Sequence, residues 1–279
     1  MPTLQYRLVN VFAEATFGGN PLAVIEDGSV LSDAEMQLVA RQFNLSETVF
    51  LLQSKRAAAR IRIFTPTYEM PFAGHPTLGS AHVVSKLLDA GDRFELEMAV
   101  GCIPVHKDDG RWMLSANAPT YRTMDATPAE LAAMLGLPPE AIAGPVMWVN
   151  CGTEQPMIPL ASVDYVNACR PDAALMAKHS TNLSGQAKTY VFARTEDGFE
   201  SRYFWMTDAS SIAEDPGTGS ACANLGGWWL ATQGDRPLSA NINQARLIKR
   251  PNLLKLKVDR GQIQVGGRVI EIGSGILQC

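Results

Sequence analysis

The sequence is short of everything that marks a metal, redox or nucleotide site. Its five cysteines, Cys102, Cys151, Cys169, Cys222 and Cys279, contain no C-x-x-C pair and share no spacing with a histidine. That excludes zinc-ribbon and thioredoxin-like motifs and fits thiols kept reduced. The four histidines, His75, His82, His106 and His179, form no H-E-x-x-H or other ligand spacing, so no metal is expected. Asp215-Pro216-Gly217-Thr218-Gly219-Ser220 lacks the lysine of a phosphate loop, and no G-x-G-x-x-G follows a strand in a parallel unit; a nucleotide triphosphatase and a dinucleotide-binding dehydrogenase are excluded with them. Positive charge is not in excess, since 24 Lys+Arg stand against 28 Asp+Glu with a pI near 5.6, which argues against nucleic acid as a partner. No run approaches the ~18 apolar residues of a membrane span. The opening MPTLQYRLVNVF has no basic region before a long apolar stretch, so a soluble cytoplasmic protein without a membrane partner is expected.

What the sequence does contain is a copy of itself. Of the twenty positions from Arg62 to Ala81, eight are identical 140 residues later, without a gap: Arg62/Arg202, Phe64/Phe204, Thr67/Thr207, Ala73/Ala213, Pro76/Pro216, Gly79/Gly219, Ser80/Ser220 and Ala81/Ala221. The same offset relates Val9-Asn10 to Val149-Asn150, and Pro21-Leu22-Ala23 recurs as Pro159-Leu160-Ala161 with a two-residue slip. A repeat this long reads as two copies of one domain rather than as a solenoid. The expected division is residues 1–118 plus 268–279 for the first copy and 119–267 for the second, with function where the copies meet.

Alternating segments predict strands at Gln5–Phe12, Thr48–Leu52, Arg60–Phe64, Arg93–Met98, Ile103–His106 and Trp112–Ser115. In the second half Lys188–Arg194 and Phe199–Met206 flank an Asp197-Gly198 turn, and Leu254–Val258, Gln262–Val265 and Arg268–Ile272 predict a C-terminal meander. Ser32-Asp33-Ala34-Glu35 and Thr127-Pro128-Ala129-Glu130 are capping boxes that open helices, the second ending before Gly136. Pro76–Leu88 and Gly217–Ala231 are apolar nearly all round and predict helices buried inside their own sheets. The fold class is therefore α+β: two pseudosymmetric domains from an internal duplication, each a mostly antiparallel sheet wrapped around a central helix. Thr120–Thr127 is the expected crossover between the halves.

The residue before the proline is His75 in one copy and Asp215 in the other, so the scaffold repeats while the polar position diverges, as a site with two unlike walls requires. Each helix start adds unpaired N–H groups and about half a positive charge, favourable to a carboxylate or a developing oxyanion. The plainer reading of Asp215 is a helix N-cap, and of His75 a locally satisfied histidine. Ser80 and Ser220 beside the same helix starts serve either a ligand or close packing. Glu47, preceding the apolar strand Thr48–Leu52, is the candidate general acid/base, because partial burial raises a carboxyl pKa toward the working range; the alternative is a solvated loop glutamate. Glu69 is a weaker competitor. Trp228-Trp229 reads as core or interface packing, and Tyr68, Glu69, Trp148 and Met206 are loop candidates for lining the cleft.

Four segments in order, Phe17-Gly18-Gly19-Asn20-Pro21-Leu22-Ala23-Val24, Asn44-Leu45-Ser46-Glu47-Thr48-Val49-Phe50, Gly74-His75-Pro76-Thr77 and Asp215-Pro216-Gly217-Thr218-Gly219-Ser220-Ala221, resemble the PhzF-like phenazine-biosynthesis family. The resemblance implies the diaminopimelate-epimerase-like fold and a cofactor-independent isomerase moving a proton between carbons of a small, cyclic unsaturated carboxylic acid. By the same resemblance Glu47 moves the proton, His75 and Asp215 position and polarise the substrate, and backbone groups at Gly74, Gly219 and Ser220 hold its carboxylate. No metal or organic cofactor takes part, and members are often homodimers. Related racemases and epimerases place a cysteine at each helix start; neither start has one here, and Cys222 lies deeper in its helix. The alternatives are a racemase or epimerase of a small amino or hydroxy acid, and a non-catalytic carboxylate-binding protein.

Overall fold

The computed structural model describes residues 3–278; Cys279 and the first two residues lie outside the described residues. Contacts divide the chain into two compact units, Met1–Ser115 with Gly266–Cys279, and Ala116–Val265. Each is α+β. No helix among the described residues is long and apolar enough to cross a membrane.

Unit 1 runs β1 (Thr3–Val11), β2 (Asn20–Ile25), α1 (Asp33–Phe43), β3 (Thr48–Leu52), β4 (Ala59–Phe64), β5 (Glu69–Met70), α2 (Gly74–Leu87), β6 (Arg93–Met98), β7 (Gly101–Asp108) and β8 (Arg111–Ser115), and takes in the C-terminal strand Val269–Gln278. β1 pairs antiparallel with β2 and with the C-terminal strand. β2 is parallel to β3, β3 antiparallel to β4, and β4 antiparallel to β5 but parallel to β6; β6, β7 and β8 follow antiparallel. Helix α2 packs on β1, β2, β3, β4 and β8, and a residue stretch from His75 to Ala81 is wholly buried. The approach is close enough to need glycine: a Cβ on Gly79 would lie 2.5 Å from Leu22 Cδ2. A second cluster of Leu4, Ile25, Met36, Phe50 and Phe64 seats α1.

Unit 2 runs β9 (Thr120–Thr123), α3 (Pro128–Leu135), β10 (Met147–Asn150), β11 (Glu154–Pro159), α4 (Val163–Ala168), α5 (Ala173–His179), β12 (Lys188–Arg194), β13 (Gly198–Met206), β14 (Ile212–Glu214), α6 (Gly219–Gln233), β15 (Leu238–Gln244), β16 (Asn252–Asp259) and β17 (Gln262–Gly267), the last two residues of which are counted with unit 1. Its pairings run β10 antiparallel to β11, β11 parallel to β12, β12 antiparallel to β13, and β13 antiparallel to β14 but parallel to β15, with β16 antiparallel beyond. Helix α6 packs on β10, β11 and β16, and a Cβ on Gly226 would come within 2.7 Å of Ile263 Cγ2 on β17. Leu131, Leu135, Ile158, Val191 and Phe204 form a core that also packs α3, α4 and α5.

The read strands are present with ends moved by a few residues, and both capping boxes close: Glu35 N–H donates to Ser32 Oγ at 3.3 Å, and Glu130 N–H to Thr127 Oγ1 at 3.3 Å. Four differences are physical. Thr120–Thr123 is a strand, β9, paired with β10, rather than a bare crossover. β2 and β11 went unread because burial on both faces removes the alternation and each carries a proline. The last predicted strand of the meander pairs instead with β1. Helix α2 starts at Gly74, two residues before Pro76, and α6 at Gly219, two after Gly217.

Candidate active site

In unit 1 the site is built where two helix–strand junctions converge. Helix α1 stops at Asn44, whose left-handed φ of 51° returns its N–H to Ala40 C=O at 3.1 Å. Three residues later Glu47 stands immediately before β3. His75 lies in the first turn of α2, not ahead of it, and is 6% exposed. Its Nε2 is 3.5 Å from Glu47 Oε2, and the glutamate side chain is 15% exposed.

Burial pushes the His75 imidazole down to about 3, against a smaller upward effect of its hydrogen bond to the Pro21 backbone. A proline carbonyl can only accept, and Nε2 makes no hydrogen bond within the described residues. The donor is therefore Nδ1–H, and Nε2 carries the lone pair. His75 is neutral near pH 7 and turns an acceptor toward Glu47. At 3.5 Å the contact is long for a direct bond. It is attractive when the carboxyl holds a proton, or when a third polar group bridges the two.

In unit 2 Asp215 ends the β13–β14 return, its N–H donating to Tyr203 C=O at 3.1 Å. Asp215 is not the N-cap of α6. That position belongs to Thr218, whose hydroxyl donates to Asp215 Oδ2 and so leaves the helix without a side-chain cap. Buried Gln244 holds the turn: its Nε2 donates to Asp215 C=O at 2.8 Å and to Thr218 Oγ1 at 2.9 Å, and its Oε1 accepts from Thr218 N–H at 3.3 Å. Gly219 and Ser220 are the first two residues of α6, and Ser220 Oγ accepts from Gln155 Nε2 at 3.0 Å. Helix α2 likewise has no side-chain cap. Pro76 has no N–H and Thr77 N–H returns to Ala73 C=O at 3.2 Å, so the amides of Gly74 and His75 stand at its mouth.

The structure thus joins Glu47 to His75 at the mouth of α2 in unit 1, and gathers Asp215, Gly219 and Ser220 at the mouth of α6 in unit 2. Glu69 is engaged elsewhere, gripped by Arg62 through 2.7 and 2.6 Å bonds. Arg202, the repeat partner of Arg62, grips Glu214 at 3.0 and 2.7 Å. The matched arginines therefore brace the hairpins that deliver each helix start. Ser80 is wholly buried in α2. Trp148 is core, with the Arg122 guanidinium 4.4 Å over its ring, while Tyr68 is exposed and Met206 packs on the unit 2 core. Trp229 is buried with its Nε1–H on Arg236 C=O, and Trp228 is half-buried. Cys222 is fully buried in α6, and burial raises its thiol pKa well above the ordinary range; such a thiol is a poor base. Among the described residues no group of three or more His, Cys, Asp or Glu could hold a metal ion.

Sequence reasoning missed Pro21, Gln155, Tyr203, Thr218, Asn224 and Gln244. The usable signal was polarity inside apolar segments: Gln155 interrupts the buried strand Glu154–Pro159, and Asn224 a helix otherwise small and apolar.

The family described as phenazine biosynthesis-like protein, PhzC-PhzF, matches residues 9–275. An uncharacterized isomerase of Pasteurella multocida is 40% identical over 98% of this chain and 93% of its own. A trans-2,3-dihydro-3-hydroxyanthranilate isomerase of Pseudomonas fluorescens is 32% identical over 98% and 99%. Among solved structures, a PhzF-family phenazine biosynthesis protein of Bacillus anthracis superposes with a TM-score of 0.89 over the whole of both chains at 22% identity, a likeness of fold. The chain belongs to the phenazine biosynthesis-like family, and it is an enzyme of the isomerase class.

Proposed function

We propose that the protein is a cofactor-independent isomerase that shifts a proton between two carbons of a small, cyclic unsaturated carboxylic acid. The observation that carries this reading is the contact of partly buried Glu47 with buried His75, with a neutral histidine presenting only a lone pair to the carboxyl. Glu47 takes the proton from the saturated carbon; the C–H electron pair enters the conjugated system and the carboxyl becomes neutral. In that state it donates to His75 Nε2, which holds the acid in place. Glu47 then returns the proton to a second carbon on the same face, and no net charge or electron is gained. Carbon acids are weak, so the developing enolate-like charge needs oriented donors. The amides of Gly74, Gly219 and Ser220 supply them, and Asp215, steadied by Thr218 and Gln244, accepts from a hydroxyl or amine of the substrate.

We also infer that the two units descend from one duplicated ancestor. The ungapped match at an offset of 140 residues and the like order of strand pairings in each unit support this.

The test is proton NMR in deuterium oxide with trans-2,3-dihydro-3-hydroxyanthranilate, the substrate that names one relative, and with related cyclic unsaturated acids. The expected result is double-bond migration with deuterium at one ring carbon. Inversion at a stereocentre without migration points to an epimerase; tight binding without any exchange points to a carboxylate-binding protein. Either overturns the reading.

A further inference from the structure

Ser220 sits at the end of a chain of buried hydrogen bonds whose direction is set by backbone groups. The Cys151 N–H can only donate, and it meets Asn224 Oδ1 at 2.8 Å. The Thr153 carbonyl can only accept, and it meets Asn224 Nδ2 at 2.8 Å. The Asn224 amide is thereby locked, and its Nδ2 also donates to Gln155 Oε1 at 2.6 Å. Gln155 is locked in turn: its Nε2 faces outward, donating to Ser220 Oγ at 3.0 Å and to Tyr203 Oη at 3.4 Å. Asn224 is wholly buried and Gln155 is 1% exposed, so water does not compete for these bonds. A hydroxyl oxygen that accepts from Gln155 keeps its own proton for another acceptor.

We propose that Gln155, oriented by Asn224, is a positioning residue that occupies one lone pair of the Ser220 hydroxyl and leaves its proton to the ligand, so that the mouth of α6 favours a carboxylate or carbonyl oxygen over an N–H or O–H group in that place. Tyr203 is held in the same sense. Its phenol stays protonated, because burial and then the nearby Asp215 charge raise its pKa. The inference rests on the reading that Ser220 touches the substrate, and it adds what chemical face of the substrate that residue requires.

Two probes separate the possibilities: 3-hydroxyanthranilate, a stable carboxylate, and its neutral primary carboxamide, with binding to the full chain measured by calorimetry. In Gln155→Glu the ionised side chain can only accept, which turns the Ser220 hydroxyl inward and leaves its oxygen facing the ligand. The carboxylate should bind at least about tenfold more weakly, and the carboxamide, whose N–H can now donate, several-fold more tightly than to wild type. Added negative charge alone weakens the first and leaves the neutral probe unmoved; that result overturns the inference. Ser220→Ala tests the underlying reading separately, because unchanged carboxylate affinity there removes the Ser220 hydroxyl from ligand contact while leaving the role of its backbone amide untouched. If Gln155→Glu does not fold, Gln155→Met replaces it. In that background the Ser220→Ala penalty on the carboxylate should shrink at least about threefold, and an undiminished penalty overturns the inference.

Discussion

The six α-helices among the described residues differ in how their first turns are finished. Helices α1, α3, α4 and α5 are closed by a side chain, from Ser32, Thr127, Ser162 and Asp172 respectively, each accepting a backbone N–H. Helices α2 and α6, which carry the His75 and Ser220 positions, have none. A missing cap forgoes about 1 kcal/mol, yet it is missing in the two helices that pack most deeply against strands. At α6 a competent capping hydroxyl is present, on Thr218, and is turned away to Asp215. The contrast separates helix starts closed by a side chain from the two whose amides the proposed function assigns to a ligand.

The sharpest way to test that contrast is to remove the carboxyl that is proposed to move the proton beside an uncapped start. Glu47→Gln should lower kcat by about 10²-fold or more while the affinity for a carboxylate ligand holds, since general acid/base catalysis is worth that much and the amide is isosteric; steady-state kinetics and calorimetry check both halves. Next in size is a pH effect. The His75 pKa is depressed to about 3 in the folded chain against about 6.5 unfolded. Between those values the unfolded chain binds a proton that the folded chain refuses. Stability is therefore complete above pH ~6.5 and falls as pH drops toward 3, by up to about 1.4 kcal/mol per pH unit from this group. Denaturant melts at several pH values should show that slope, and His75→Asn, which can keep a donor for Pro21 without a titrating ring, should flatten it.

Smaller effects bear on the caps themselves. Ser32→Ala should cost about 1 kcal/mol in chemical denaturation and leave turnover unchanged, because its cap serves only α1. Ala73→Asp should do the reverse at α2. Ala73 already has the extended N-cap backbone, with φ −151° and ψ 140°, so an aspartate there should add about 0.5 kcal/mol of stability. It should also weaken carboxylate binding, because its own oxygen occupies the amides of the first turn. Stabilisation without any loss of affinity would dissolve the distinction between the two kinds of helix start.

The distinction was half legible in the amino-acid order. Capping boxes are contiguous, so Ser32-x-x-Glu35 and Thr127-x-x-Glu130 announced two helix starts and both form. The repeat pointed to His75 and Asp215 as the diverged pair. The plainer alternative for Asp215, a helix cap suggested by the local Asp-Pro pattern, fails because Thr218 holds that position; what pulls Thr218 there is Gln244, 26 residues further on and reached through β15. Glu69, the weaker competitor to Glu47, is held by Arg62 on the neighbouring strand, a pairing the local sequence does not announce. Strands β2 and β11 were illegible for a different reason, since burial on both faces erases the alternation that betrays a half-buried strand.

Local order along the chain was sufficient to place the capped starts of α1 and α3, to show which stretches match at an offset of 140 residues, and to single out the polar residues that break the match, because caps and matched positions are written in contiguous residues. Where each proton resides was decided only by the folded chain. The Pro21 carbonyl selects the His75 tautomer, and the Cys151 amide with the Thr153 carbonyl orients Asn224, Gln155 and through them Ser220. A side-chain amide or imidazole can face either way in isolation; a buried backbone group, which can only donate or only accept, removes the choice.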